Sequence, residues 1–298
     1  MSLAAGPRRR KVLLAWSSGR AALILYSLLL SVSAAAAEGP RRVASLNLTA
    51  DEILAEILAP DRLVGVTRFT DEQGTSNVVG RVPPSVLRFP RADIERLVAL
   101  TPDLVIVSEY TDADFLKLLE RSGLRVHQMR GLDSMAGFRQ AILDLGQAVG
   151  ETAAAERLVA RYDATLADLG QRLRGVARPR LLYWANPHTA GRGTAIGALI
   201  ECAGATNVGA ELGLQGIVPL GVERAYVADP DALLVGTGWG TAQALREQPL
   251  LSKMRAVRSG RIVELPTELL VTLSHHAARG CWALAHALHP DRVPALTP

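Results

Sequence analysis

Residues 152–173, TAAAERLVARYDATLADLGQRL, constrain this chain more than any other stretch. Apolar residues at Ala155, Leu158, Val159, Tyr162, Leu166, Leu169 and Leu173 follow helical spacing. Thr152 is placed to cap the free amides of the first turn, and no Gly or Pro interrupts the pattern before Gly170. About 21 residues at 1.5 Å each make a rod of roughly 30 Å, the width of a small domain. Similar sequence stands on either side of it, so the rod reads as a spine between two lobes.

The duplication is direct. Glu95-Arg96 and Pro102-Asp103 precede the apolar run 104–107, and Glu223-Arg224 and Pro230-Asp231 precede the run 232–235 at the same separation. Further on, Arg121-Ser122-Gly123 is echoed by Arg258-Ser259-Gly260, each ahead of another apolar segment. Two repeats are too few for a solenoid, and each half is long enough for its own core.

At 298 residues and 49% hydrophobic content the chain is globular, with length for about two domains. The formal charge of +4 resides in the first 37 residues, which hold Arg8, Arg9, Arg10, Lys11 and Arg20 and no acid. Removing those five charges from +4 leaves −1, and a body so balanced offers nucleic acid no basic surface. The same 37 residues run from a basic start through the apolar stretch 21–32 to small residues at 34–37, the pattern of a cleavable secretory signal. The apolar stretch is short for a membrane span. In an exported protein the two cysteines, Cys202 and Cys281, are compatible with one disulfide or with two buried thiols.

Strands are predicted near 43–46, 63–66, 78–80, 104–107, 126, 180–184, 233 and 262. Helices are predicted over 51–58, 92–100, 114–122, 134–149, 194–203, 241–245 and 274–288, with another beginning at Glu223. Strands that alternate with helices imply an α/β fold of two Rossmann-like lobes with mainly parallel sheets, joined by one rigid helix. The expected organisation is a signal peptide at 1–37, an N-terminal lobe at 38–150, the spine at 151–174 and a C-terminal lobe at 175–298.

Open α/β sheets bind ligands beyond the carboxyl ends of their strands, here Asn47, Phe69, Phe89, Tyr110, Trp184, Trp239 and Glu268. Aromatics are only 4% of the chain, yet several fall in those loops, which predicts a cleft for a large flat ligand. No nucleophile elbow, P-loop or H-E-x-x-H motif is present. The adjacent His275 and His276 diverge by about 100° on a helix and cannot easily share one ion. No catalytic residue, protein-held metal or resident cofactor is expected.

The segments VASLNLTADEILAEIL, DRLVGVT, ADIERLVALTPDLVIV, TAGRGTAIGALIECAGATNVG and VERAYVADPDALLVG resemble class III periplasmic substrate-binding proteins of ABC importers. The resemblance spans nearly all of the mature chain and is nearest to cobalamin-binding members. It implies a periplasmic, monomeric receptor that carries cobalamin or a ferric siderophore to an inner-membrane permease with its cytoplasmic ATPase. It also implies Phe69, Phe89 and Glu268 beside the ligand, and Glu95 and Glu223, one per lobe, docked on permease arginines. Ser108 and Ile217 stand at or near positions where cobalamin binders carry tryptophan, which shifts weight toward a siderophore. Tyr110 and His188 keep haem open as a third ligand. A chelatase or metallocluster-assembly enzyme of similar two-lobed shape is the alternative from another class.

Overall fold

The computed structural model describes residues 39–238 and 242–296. The expected signal segment 1–37 and Trp239 lie outside the described residues. Strands β1 (Val43–Ser45), β2 (Leu63–Thr67), β3 (Leu87–Phe89), β4 (Leu104–Ser108) and β5 (Val126–Met129) form a parallel sheet in the order β3-β2-β1-β4-β5. Helices α1 (Leu48–Ile57), α2 (Ile94–Ala99), α3 (Ala113–Arg121) and α4 (Met135–Val149) complete this lobe. Successive side chains of a strand point to opposite faces. Accordingly β4 sends Leu104 and Ile106 into one apolar cluster and Val105 and Val107 into another, so its unbroken apolar run serves both faces of the sheet. The strand expected at 78–80 is a turn, and the third strand lies instead at β3, inside what reads in the sequence as a proline-rich loop.

The spine α5 (Thr152–Arg172) buries Ala155, Leu158, Val159 and Tyr162 in the first lobe's core and Leu169 in the second's. Leu166 packs against both clusters. Thr152 is the first helical residue rather than the cap. The cap is Glu151, whose side chain makes no capping bond but accepts from Arg62 Nη1 at 2.5 Å. Gly150, at φ 76°, closes α4 and lets the chain reverse directly into the spine.

The second lobe contains β6 (Arg180–Tyr183), β7 (His188–Ala190), α6 (Ala195–Cys202), β8 (Thr206–Asn207), α7 (Val208–Glu211), β9 (Ile217–Pro219), α8 (Val222–Ala228) and β10 (Ala232–Gly236). It continues through α9 (Ala242–Glu247), α10 (Arg255–Arg258), β11 (Ile262–Leu265), α11 (Thr267–Leu270) and α12 (Ala277–Leu288). Its parallel sheet runs β11-β10-β6-β8, and β7 and β9 pair separately as an antiparallel flap. Cys202 at the end of α6 and Cys281 in α12 form a disulfide with Cα atoms 5.7 Å apart, which selects one of the two alternatives open in the sequence.

The duplicated motifs perform the same structural task twice. Asp103 Oδ2 accepts from the Arg42 amide at 2.9 Å, and the Asp103 amide donates to the Arg42 carbonyl at 2.8 Å. Asp231 Oδ2 accepts from the Arg180 amide at 2.9 Å, and its own amide donates to the Arg180 carbonyl at 2.8 Å. Each arginine then donates to carbonyls at the end of the preceding repeat helix, Arg42 to Leu100 and Arg180 to Ala228. The residues just before the prolines, Thr101 and Asp229, share a left-handed backbone with φ of 45° and 39°. The Arg180 amide, with Arg255 beside it, holds the Asp231 carboxyl below the usual carboxylate range.

Candidate functional site

Where the two lobes face one another, a cleft of about 340 Å³ is walled by Tyr110 and Leu132 from the first lobe and by Ile196 and Ile217 from the second. Val271 and Leu273, on the segment that returns toward the first lobe, close its floor. The volume falls in the lower part of the range for small-molecule sites.

Local chemistry explains each wall. After β4, Ser108 Oγ accepts from the Tyr110 amide at 3.2 Å, a tight turn that projects the ring, which is 67% exposed. The Tyr110 hydroxyl donates to the Leu132 carbonyl at 3.4 Å, and Glu109 Oε1 accepts from the Leu132 amide at 2.7 Å, so two hydrogen bonds tie these loops together. Burial, then the neighbouring Glu109 and Asp133, raises the Tyr110 hydroxyl above its ordinary pKa. Across the cleft, the Arg192 amide donates to Leu214 and Gly216 donates back to Arg192, both at 2.9 Å, which seats Ile217 at the start of β9. Ile217 is 50% exposed, a large apolar side chain left open to solvent.

The floor alternates. Val271 and Leu273 face the cleft, while Thr272 and Ser274 donate to Glu52 Oε2 at 2.8 and 2.5 Å. Glu52 Oε1 accepts from the Asn77 amide at 3.0 Å and its Nδ2 at 2.8 Å, and Asn77 Nδ2 also donates to the Glu268 carbonyl. Through this buried carboxylate on α1, two hydrogen bonds tie the first lobe to the return segment, and Asn77 adds a third link to the Glu268 carbonyl.

Of the ligand residues expected from sequence, the structure brings Tyr110 to this cleft. Phe69 is 39% exposed with the Arg68 guanidinium 4.4 Å over its ring, but it is not among the cleft walls. Phe89 is core, 2% exposed: Thr67 pairs with it across β2 and β3, and its ring fills the space beside Gly65. A Cβ at Gly65 would come within 2.5 Å of Phe89 Cε2. The sequence signal was therefore the glycine inside a strand pattern, which marks close approach of another group. Trp184 is 4% exposed and packs in the second lobe's core, beside a small cavity bounded by Asn186 and Leu245. Asn47 caps α1 by accepting from the Thr49 amide at 3.1 Å. Glu268 is the second residue of α11 and accepts from Asn77 through its backbone carbonyl, and His188 lies on the flap strand opposite Pro219. Sequence reasoning missed Leu132, Ile196, Val271 and Leu273. Glu95 and Glu223 are exposed, each the second residue of its repeat helix.

Residues 43–269 match the periplasmic binding protein family. A cobalamin-binding protein of Halobacterium salinarum is 28% identical over 266 residues, covering 85% of this chain and 71% of that protein. The periplasmic heme-binding protein RhuT from Roseiflexus sp. RS-1, in apo form, is similar with a TM-score of 0.71 and 26% identity, over 85% of this chain and 100% of that one. The molybdate periplasmic binding protein MolA of Haemophilus influenzae is similar with a TM-score of 0.73 and 25% identity, over 86% and 88% of the respective chains.

Proposed function

Because this chain belongs to the periplasmic binding protein family, we propose that its interlobe cleft receives a metal chelate, cobalamin or a ferric siderophore, and presents it to an ABC permease. The observation that carries this reading is the wall chemistry: Leu132, Ile196, Ile217, Val271 and Leu273 offer apolar surface from both lobes, with one aromatic ring, Tyr110. Such walls suit the organic face of a chelate. A bare cation needs a set of hard or soft donors, and among the described residues no group of three or more His, Cys, Asp or Glu is gathered to hold one. A corrin or siderophore exceeds the cleft volume, so part of the ligand projects from it.

Likeness to a cobalamin-binding relative supports cobalamin as the first ligand to test. Haem is the second reading, supported by likeness to a heme-binding structure. Residues 1–37 direct export and are removed, the mature chain acts as a monomer, and Glu95 and Glu223 meet permease arginines as bidentate partners. The protein desolvates and hands over its ligand without chemistry. Native mass and absorbance of the protein drawn from the periplasm test this. A corrin or ferric-siderophore band is expected, a Soret band shifts the assignment to haem, and ligand turnover during incubation overturns the receptor reading.

A further inference from the structure

A second concavity shares no wall with the cleft. It occupies about 350 Å³ where α1, the spine and the start of α12 meet, and three arginines from three separate segments converge on it: Arg81, Arg161 and Arg279. The only carboxylate among its walls is Glu56, paired with Arg81 and 3.9 Å from Arg161 Nη2. Arg279 has no ion pair among the described residues, so two guanidinium charges go unbalanced. His275 and His276 complete the wall with ring centroids 3.9 Å apart. His276 is 5% exposed, and neither of its ring nitrogens has a hydrogen-bond partner among the described residues; His275 Nδ1 has none either. Buried polar groups in native proteins are almost always paired, and these three atoms all belong to the rings that wall the arginine pocket.

We propose that this pocket is a binding site for a phosphate-type oxyanion, either free or as the headgroup of an anionic lipid. Guanidinium forks match phosphate oxygens in shape and charge, whereas three of them repel any cation. Burial, and for His276 also the neighbouring His275, depresses both imidazoles, to about 4 and about 2. Both rings are therefore neutral at physiological pH, each with one N–H to offer. An anion here contacts the spine and the start of α12, where both pack on the first lobe's core. None of this depends on which chelate fills the cleft.

The test uses the mature chain and inorganic phosphate, titrated against chloride at constant ionic strength. Saturable binding below about 20 mM phosphate is expected, with a rise of a few degrees in Tm and shifts in the His275 and His276 imidazole resonances. Arg161→Gln and Arg279→Gln should each weaken binding about fivefold, and Glu56→Gln, which removes the competing carboxylate, should strengthen it about threefold. Circular dichroism and unaltered chelate affinity establish that each variant is folded. Flotation with phosphatidylglycerol vesicles, absent with phosphatidylcholine and reversed by phosphate, assigns the headgroup; phosphate binding without flotation assigns the free anion. No saturable phosphate binding, or equal affinity in wild type and both arginine variants, overturns the site.

Discussion

The two lobes repeat one pattern but are locked by different chemistry. Both use an arginine at the first strand, Arg42 or Arg180, clamped to the aspartate of a Pro-Asp pair. Beyond that clamp they diverge. The first lobe buries two carboxylates, Asp51 and Glu52, whereas among the described residues the second buries none and instead carries the Cys202–Cys281 disulfide. A carboxylate network is sensitive to pH and a disulfide to reductant. Each lobe thus has its own vulnerability, while Glu95 and Glu223 keep the same place, the second residue of their repeat helices.

The largest expected effect tests what stayed alike. Glu95→Ala with Glu223→Ala should reduce ligand-stimulated transport in reconstituted vesicles at least about tenfold, with ligand affinity and Tm unchanged. Each single variant should show an intermediate loss. Normal transport by the double variant would reduce the two glutamates to helix-start residues that favour the local dipole.

Next comes the pH-sensitive lobe. Asp51 Oδ2 accepts from the Thr67 amide, Thr67 Oγ1 and Thr70 Oγ1, while Oδ1 has no partner among the described residues. Burial pushes its carboxyl up to about 7 against those hydrogen bonds. The folded state therefore holds a proton that the unfolded chain releases near 3.8. Its contribution to stability is complete below the unfolded value and is lost as pH rises through about 7. That contribution is on the order of 4 kcal/mol. Asp51→Asn, whose amide mimics the protonated acid, should flatten the pH dependence of urea unfolding over this window, and an unaltered slope would remove Asp51 as its source.

In the other lobe, Cys202→Ala with Cys281→Ala opens a 79-residue loop and should cost about 2–4 kcal/mol. Hydrogen exchange should rise in α6 and α12 while β1 to β5 stay protected. Loss of protection across both sheets would show that the lobes unfold as one unit. Asp103→Ala and Asp231→Ala should each cost about 1–2 kcal/mol in chemical denaturation. A large difference between them would mean that the repeated clamp does unequal work.

Helical periodicity at 152–173 was legible because burial on one continuous face leaves a 3.6-residue signature, and the spine follows it from Ala155 to Leu169. The Pro-Asp echo was equally legible, since backbone geometry needs the same residues wherever it recurs. The clamp partners Arg42 and Arg180 were not, because they lie about 50 to 60 residues away in sequence and only strand pairing brings them near. The cleft was read least well. Aromatic identity does not distinguish a ring that packs on a glycine, as Phe89 does, from one that projects beyond a turn, as Tyr110 does. Its remaining walls are ordinary leucine, isoleucine and valine, and Val271 and Leu273 face the opening only because their neighbours Thr272 and Ser274 turn toward Glu52.

Titration calorimetry of the mature chain with cyanocobalamin, a ferric siderophore and haemin, repeated on Tyr110→Ala and Ile217→Ala, probes the cleft from both lobes at once. Burial of either side chain against a flat ligand contributes about 1–2 kcal/mol. One chelate should bind at one site per chain, and each variant should weaken it about tenfold. Binding of no chelate, or equal affinity in wild type and both variants, would contradict a ligand held between the lobes.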